Sequence, residues 1–226
     1  MPGFKRGKNL NQWNSNRAEA GRGKLRIVGG KFRGRQVEYS GDPVTRPMKD
    51  NIREALFNLV GGWVNGKVVL DLFAGTGAIG LEAISRGAKK AFLIERHIPT
   101  VRIITENVQS LDPDLPVEIA TSDTFFWVRQ FLKNPDNLPT DPWVVFCCPP
   151  YAFYEEREQD VLQMLENLIA AAPPASIFVV EFDSRFSEKK LPNAEQWTTR
   201  KYSPALVAIL KLPKESKMPQ PEVENL

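Results

Sequence analysis

The chain has 226 residues, enough for one full hydrophobic core with a small appendage. With 42% hydrophobic and 25% charged residues, its composition is that of a globular protein, and no apolar run reaches the roughly 20 residues of a membrane helix. The two cysteines, Cys147 and Cys148, are adjacent, which excludes a disulfide framework, and the single histidine, His97, excludes a site built from several imidazoles. The sequence therefore predicts a cytoplasmic protein with no membrane segment and no bound metal ion.

Positive charge is concentrated at the N-terminus. Residues 1–35 hold ten lysines and arginines against one acid, Glu19, so this segment carries +9 and the remainder −6, although the net charge is only +3. Clustered basic side chains bind polyanions favourably, because each phosphate contact releases condensed counterions. The asymmetry favours a nucleic-acid partner, with a solvated tail as the alternative interpretation.

Composition divides the chain into four segments. Residues 1–23 lack an apolar pattern and are predicted to be a disordered basic tail, and residues 213–226, which mix Pro, Lys and Glu without periodicity, are predicted to be a second tail. Residues 24–44 are predicted to be a small basic β-hairpin extension. Residues 45–212 are then left for one main domain.

The hairpin and the first helix are predicted from turn residues and periodicity. Two short strands, Arg26–Val28 and Arg35–Tyr39, flank the Gly29-Gly30 turn. A helix follows because Pro47 suits a helix start and apolar residues then recur at helical spacing until Gly61-Gly62.

Beyond this helix, continuous apolar strands alternate with helices, which implies a parallel sheet covered on both faces. The last two strands, Trp197–Tyr202 and Leu206–Leu212, have no helix between them and are predicted to pair antiparallel. The predicted fold class is therefore α/β, with a mostly parallel sheet. The other predicted strands are Lys67–Phe73, Ala91–Glu95, Val117–Ala120, Trp143–Cys148 and Ser176–Glu181, and the other predicted helices are Ala78–Ser85, Thr100–Leu111, Thr124–Leu132 and Glu156–Ala170.

A glycine loop joins the first strand of the main domain to its helix. Gly75, Gly77 and Gly80 fit the G-x-G-x-x-G of dinucleotide sites, which alone is a weak signal. Asp71 argues against a dinucleotide, because a carboxylate at the end of this strand would repel a pyrophosphate but suits an ammonium group. Glu95 ends the next strand, where a carboxylate accepts hydrogen bonds from ribose hydroxyls.

A ligand with a ribose, an amino group and no phosphate is S-adenosylmethionine, and Asp123 follows the third strand at a position suited to the adenine amino group. A nicotinamide dehydrogenase, and a loop whose glycines serve packing alone, are the alternatives. The residues assigned to the cofactor site are Asp71, Phe73, Ala74, Gly75, Gly77, Glu95, Arg96, Asp123 and Thr124.

The segment Cys148-Pro149-Pro150-Tyr151 follows the strand predicted to lie beside the first, where a second substrate meets the cofactor. Two prolines fix the backbone and leave carbonyls free to accept hydrogen bonds from an exocyclic amine, while the Tyr151 ring offers a stacking surface for a flipped base. These four residues are the candidate catalytic group, for direct methyl transfer to an amine. A cysteine nucleophile that methylates a pyrimidine carbon is the alternative.

Five segments, in order from about Lys24 to Leu212, resemble those of the RsmD-type 16S ribosomal RNA guanine-N2 methyltransferases. The resemblance implies a seven-stranded Rossmann-like methyltransferase fold, S-adenosylmethionine as donor, and a guanine of small-subunit rRNA, free or in an assembly particle, as acceptor. The segments are Arg26–Arg35, Thr45-Arg46-Pro47 with Arg53–Asn58, Asp71–Gly77, Leu93-Ile94-Glu95 and Pro149-Pro150-Tyr151.

The resemblance also implies that the basic N-terminal segment grips RNA, and we predict a monomer. The residues assigned to this role are Arg26, Lys31, Arg33, Arg35, Arg46 and Arg53. One departure bears on activity: Cys148 stands where the family has Asp or Asn, whose side chain accepts a hydrogen bond from the amine. Because a neutral thiol is a poor acceptor, the alternative function is an RNA-binding protein that holds the cofactor without turnover.

Overall fold

Two sheets are present in the computed structural model, which describes residues 22–41, 48 and 50–214. The smaller one is an antiparallel hairpin of β1 (Gly23–Arg26) and β2 (Gln36–Tyr39), with Lys24 opposite Glu38. The predicted hairpin is confirmed, but its first strand lies earlier than Arg26–Val28. The reason is that the Val28 amide leaves the ladder and donates a hydrogen bond to the Glu82 carboxylate, at 2.7 Å.

The larger sheet has seven strands in the order β5-β4-β3-β6-β7-β9-β8. Strands β3 to β7 are parallel, β9 runs antiparallel to β7, and β8 runs antiparallel to β9. The predicted mostly parallel sheet with an antiparallel C-terminal pair is confirmed. The strands are β3 (Val68–Asp71), β4 (Lys90–Glu95), β5 (Val117–Thr121), β6 (Trp143–Cys147), β7 (Ile177–Phe182), β8 (Thr198–Tyr202) and β9 (Ala205–Lys211).

Helices cover both faces of this sheet, and its central strands β3 and β6 are therefore buried along their whole length. One core cluster joins α1, α2 and α3 to the sheet, and a second joins α4 and α6 to the opposite face. The helices are α1 (Asp50–Val60), α2 (Ala78–Ser85), α3 (Ile98–Leu111), α4 (Thr124–Leu132), α5 (Phe153–Glu156) and α6 (Glu158–Ala171).

The helices predicted at Ala78–Ser85 and Thr124–Leu132 are confirmed residue for residue. The single helix predicted over Glu156–Ala170 is instead two helices, α5 and α6. The break is at Arg157, whose φ of −137° and ψ of 28° are not helical and whose guanidinium contacts Asp123 and Asp160.

Some sequence predictions lie outside the described residues. They are residues 1–21 of the tail predicted over 1–23, residues 215–226 of the tail predicted over 213–226, and the segment Thr45-Arg46-Pro47. Gly23, the last residue of the first predicted tail, lies in β1. Across the part of the chain that the structure does describe, every helix is too short or too polar to cross a bilayer.

Candidate functional site

Four polar side chains share one face of the sheet at the carboxyl ends of its central strands. They belong to Asp71 on β3, Glu95 on β4, Cys148 just after β6 and Glu181 on β7. Side chains alternate between faces along a strand, and the residues two positions before these four, such as Val69 and Phe146, pack in the core cluster with α1 to α3. The carboxyl ends of parallel strands are where ligands of such sheets bind.

The glycine loop between β3 and α2 is a tight turn in which one glycine adopts a left-handed conformation and another allows close packing. The Ala74 amide donates to the Ile94 carbonyl at 3.0 Å, and Gly77 adopts a left-handed conformation with φ of +72°. A Cβ at Gly80 would lie 2.6 Å from Leu93 Cδ1, so this glycine lets α2 pack closely on β4. The packing role considered for the glycines therefore holds for Gly80, and the predicted binding role of the loop stays a prediction.

Asp71 lies beneath this loop, and only one of its two carboxylate oxygens has a hydrogen-bond partner. The side chain is 1% exposed, and Oδ2 accepts a hydrogen bond from the Gly80 amide at 3.0 Å. The other oxygen, Oδ1, is buried and has no hydrogen-bond partner among the described residues. Burial and the charge of Glu95 raise the pKa of Asp71 to about 7, against the opposing hydrogen bond from Gly80. An orphaned carboxylate oxygen of this kind suits a positively charged donor group on a ligand.

Glu95 is held against the glycine loop by two backbone donors. Its Oε2 accepts from the Gly75 amide at 2.9 Å and its Oε1 accepts from the His97 amide at 2.7 Å. Each carboxylate oxygen has two lone pairs, so the predicted contact with ribose hydroxyls is compatible with both bonds. His97 itself flanks α3, where its Nδ1 lies 2.8 Å from Thr100 Oγ1.

Asp123 caps helix α4, so its carboxylate is already engaged. Its Oδ1 accepts from the Phe126 amide at 3.1 Å and its Oδ2 lies 3.3 Å from Arg157. The contact with an adenine amino group stays a prediction. The neighbouring Thr124 hydroxyl donates to the Leu72 carbonyl and ties the start of α4 to the end of β3.

Phe73 belongs to an aromatic cluster beside the loop. Its ring packs edge-on against Phe125 at 5.9 Å and Phe153 at 6.0 Å between centroids. The Arg157 guanidinium covers Phe125 at 4.0 Å, and the exposed Arg96 lies 5.9 Å from Phe153. The structure therefore brings the predicted residues Phe73 and Arg96 to one apolar wall of the site.

The segment after β6 brings Cys148 and Tyr151 to a carboxylate that the sequence analysis missed. Cys147 pairs with Val180 in parallel register, so the residues that follow them, Cys148 and Glu181, come next to each other. The Tyr151 hydroxyl donates to Glu181 Oε1 at 2.7 Å. An acid at a strand end carries no motif, so the sequence alone does not mark Glu181. Its place at the carboxyl end of a predicted strand was the available signal.

The Cys148 thiol is poorly suited to act as a nucleophile. Burial and the negative charges of Glu181 and Asp71 raise its pKa well above the usual value. Since the thiolate is the reactive form, this shift disfavours a nucleophilic role for Cys148. Cys147 is fully buried in the opposite core cluster.

The basic residues assigned to RNA occupy two different environments. Arg26, Lys31, Arg33 and Arg35 are exposed on the hairpin or its connecting loop. Arg46 lies outside the described residues.

Arg53 does not fit the predicted RNA contact, because its side chain is only 1% exposed. Its Nη2 donates to the Arg26 carbonyl at 2.5 Å and to Asp50 at 2.9 Å, and its Nε lies 3.9 Å from Glu82. The helical spacing showed a basic residue on α1 but could not show which face is buried. Arg53 therefore holds the hairpin to the domain.

The hairpin is fastened to helices α2 and α3 by side chains from both. Ser85 Oγ accepts from the Phe32 amide at 2.9 Å and donates to the Gly29 carbonyl at 2.5 Å. Asn107 of α3 makes a reciprocal pair of bonds with the backbone of Glu38, at 2.8 and 2.7 Å. The exposed basic side chains are therefore carried on a fixed support.

Comparison with known proteins gives consistent matches. The family described as Conserved hypothetical protein 95 matches residues 25–211. The chain is 32% identical over 181 residues to the Ribosomal RNA small subunit methyltransferase D of Haemophilus influenzae, covering 80% of this chain and 88% of that protein.

Solved structures agree with this fold. A hypothetical protein of Thermus thermophilus is 26% identical, with a TM-score of 0.65, over 83% of this chain and 99% of that chain. An RNA methyltransferase from Salinibacter ruber, solved in complex with S-adenosyl-L-homocysteine, is 19% identical with a TM-score of 0.52, over 80% of this chain and 100% of that chain, and shares the fold.

Proposed function

Because the chain belongs to the Conserved hypothetical protein 95 family, the RsmD family, and is a methyltransferase that uses S-adenosylmethionine, we propose that its acceptor is the N2 amine of a guanine in small-subunit rRNA. The observation that carries the proposal is that Pro149-Pro150-Tyr151 follows β6 just after Cys148, where β6 lies next to the end of β3 at Asp71. An rRNA methyltransferase is also the activity that the names of its relatives indicate.

The residues present fit the methyl donor. The unpartnered Oδ1 of Asp71 suits its ammonium group, and Glu95 at the end of β4 suits its ribose. The donor supplies an electrophilic methyl group bonded to a sulfonium. The residues of the chain bind this group and orient it, and Phe73 with its aromatic neighbours excludes water from one side.

In this proposal, most of the rate acceleration of methyl transfer comes from holding the amine in line with the methyl group. The carbonyl of Pro149 accepts a hydrogen bond from the amine while the Tyr151 ring stacks on the flipped base. The raised pKa of Cys148 disfavours the covalent alternative, in which a thiolate attacks a pyrimidine carbon.

The test is methyl transfer from labelled S-adenosylmethionine to small-subunit rRNA, with mass mapping of the modified nucleotide. We expect one N2-methylguanine. A protein that binds donor and RNA but transfers nothing would be the RNA-binding alternative, and a methylated pyrimidine carbon would contradict the assignment to an amine.

We expect donor binding to release a proton near pH 6. The pKa of free Asp71 is about 7, so this carboxyl is protonated at pH 6, whereas an ammonium beside it favours the ionised form. Affinity should therefore rise with pH through about 7 and then level off. Calorimetry at pH 6 in buffers of different ionisation enthalpy measures the proton, and equal heats in all buffers would contradict the role of Asp71.

We also expect the exposed basic side chains of the hairpin to contribute affinity for RNA without base specificity. Replacing Arg26 and Arg33 by Gln should reduce the slope of log affinity against log salt by about 1.4 to 1.8, because each phosphate that a side chain neutralises adds about 0.7 to 0.9 to that slope. The matched control replaces Lys189 and Lys201, exposed elsewhere on the surface. Filter binding to an rRNA fragment measures both slopes, and an equal change in the two variants would show that the hairpin has no particular role.

A further inference from the structure

Cys148 leaves the proposed reaction without a strong acceptor for the reacting amine. A carboxylate or amide oxygen polarises an N–H bond through a good hydrogen bond, whereas a protonated thiol accepts only weakly. Burial and two negative neighbours keep this thiol protonated. A strong hydrogen-bond acceptor for the amine would therefore have to come from another residue.

Two carboxylates act electrostatically on the Cys148 thiol, those of Glu181 and Asp71. Asp71 is buried under the glycine loop and bonded to Gly80, which places it on the side of the methyl donor. Glu181 is partly exposed and is bonded to Tyr151, which places it on the side of the base. The two acids are thus divided between the two substrates.

Two hydrogen bonds fix the place of Glu181 at the mouth of the site. The Tyr151 hydroxyl donates to its Oε1 at 2.7 Å. From the opposite face, the Tyr154 hydroxyl donates to its backbone carbonyl at 2.8 Å. The carboxylate is thus held next to Cys148, its neighbour by strand register, and to Tyr151, the residues on either side of the Pro149-Pro150 turn.

We propose that Glu181 is a catalytic residue, which accepts a hydrogen bond from the amine and then its proton, in place of the side chain that Cys148 does not provide. The inference rests on the proposed transfer to an exocyclic amine. The amine nitrogen forms a bond to the methyl carbon as the carbon–sulfur bond breaks and leaves its electron pair on sulfur. The nitrogen then loses a proton, which the Glu181 carboxylate takes and passes to solvent.

The chemistry of this carboxylate suits the role. Its two oxygens offer about four acceptor sites, so the bond from Tyr151 leaves capacity for the amine. Burial raises the pKa of Glu181, against the hydrogen bond from Tyr151, and a carboxylate with a raised pKa takes a proton more readily.

The test compares rates in variants of the full-length protein. Glu181→Gln keeps the shape but lowers basicity and charge, so we expect the rate constant for methyl transfer to fall at least about tenfold, since one charge-assisted bond contributes ~1.5 to 3 kcal/mol. The donor dissociation constant, measured by calorimetry, should be unchanged. Adding Cys148→Asp to Glu181→Gln should restore most of the loss, because it returns a carboxylate to the neighbouring strand.

A positioning role through Tyr151 is separated from direct action by Tyr151→Phe. If Glu181 acted by orienting the ring alone, Tyr151→Phe would lower the rate as much as Glu181→Gln, and the double variant would lose nothing further. We expect the double variant to be slower than either single variant. In the free protein, the ¹³Cζ resonance of Tyr151 should shift in Glu181→Gln and stay in place in the control Glu195→Gln, an exposed acid.

The inference fails if the wild type methylates rRNA and Glu181→Gln does so at the same rate, or if Cys148→Asp gives no rescue. A wild type that binds the donor and methylates no RNA would instead overturn the proposed function, and the inference with it. Loss of donor binding in Glu181→Gln would assign Glu181 to the cofactor site and overturn its role at the base.

Discussion

Replacing Asp71 with Asn is expected to weaken S-adenosylmethionine binding by about 2 to 5 kcal/mol, roughly 30- to 5,000-fold, because it removes the charge of a buried ion pair. Asn keeps an oxygen for the Gly80 amide, whose bond to Asp71 is 3.0 Å, so the loop should retain its turn. Isothermal titration measures the loss, which should be accompanied by loss of the proton released by the wild type.

The same substitution should change how the stability of the ligand-free protein depends on pH. The folded pKa of Asp71 is about 7 and the unfolded value is about 3.9, so between these pH values only the folded state holds the proton. The free energy of unfolding therefore falls as pH rises through this window, by about 1.4 kcal/mol per pH unit from this group. Asp71→Asn should lack this decline. The free energy of unfolding is measured for both proteins by urea denaturation at several pH values, and the same pH dependence in both would contradict a buried carboxylate without a charged partner.

Replacing Glu82 with Ala is expected to destabilise the protein by about 3 to 5 kcal/mol, because it removes a buried carboxylate from its ion pair with Arg86 and from its hydrogen bond with the Val28 amide. Glu82 is fully buried on α2, where its carboxylate accepts from Arg86 and from the Val28 amide, both at 2.7 Å. It is also the acid nearest to the Nε of the buried Arg53, and this nitrogen has no hydrogen-bond partner among the described residues. Urea unfolding measures the loss.

The matched control is Glu54→Ala, an exposed acid on α1 beside Arg53, which should change stability by less than about 0.5 kcal/mol. Hydrogen exchange at the Val28 amide should accelerate in Glu82→Ala, since its acceptor is removed. Equal effects of the two substitutions would show that the buried acid does not hold the hairpin. The double variant Arg53→Met with Glu82→Leu should recover part of the lost stability.

Much of the fold could be predicted because each element carries its own periodicity. Helix α2 has an apolar stretch between the glycine loop and Gly87, and α4 begins at a capping Asp123, so both were bounded by local chemistry. The break at Arg157 was not predictable from the local pattern, and at this break Arg157 contacts Asp123, 34 residues away in sequence.

The site was predictable only where a motif marks it. Asp71 ends a strand just before the glycine loop, and Tyr151 follows two prolines after the next paired strand. Glu181, by contrast, comes to Tyr151 from 30 residues away through strand pairing. The burial of Arg53 likewise follows from the docked hairpin, which no helical pattern on α1 reveals. A lone acid inside the apolar helix α2, Glu82, was the available sign that a buried cation lies nearby.

In the proposed function, helix α2 joins the loop that binds the methyl donor to the hairpin that binds RNA. It begins at the glycine loop and ends at Ser85, to which the loop of the hairpin is bonded. Eight residues of α-helix span about 12 Å, a length that thermal motion changes very little. In the proposed function, a phosphate bound by the hairpin therefore lies at a fixed distance from the methyl donor. The length of α2 sets the distance between the RNA backbone contact and the reacting methyl group.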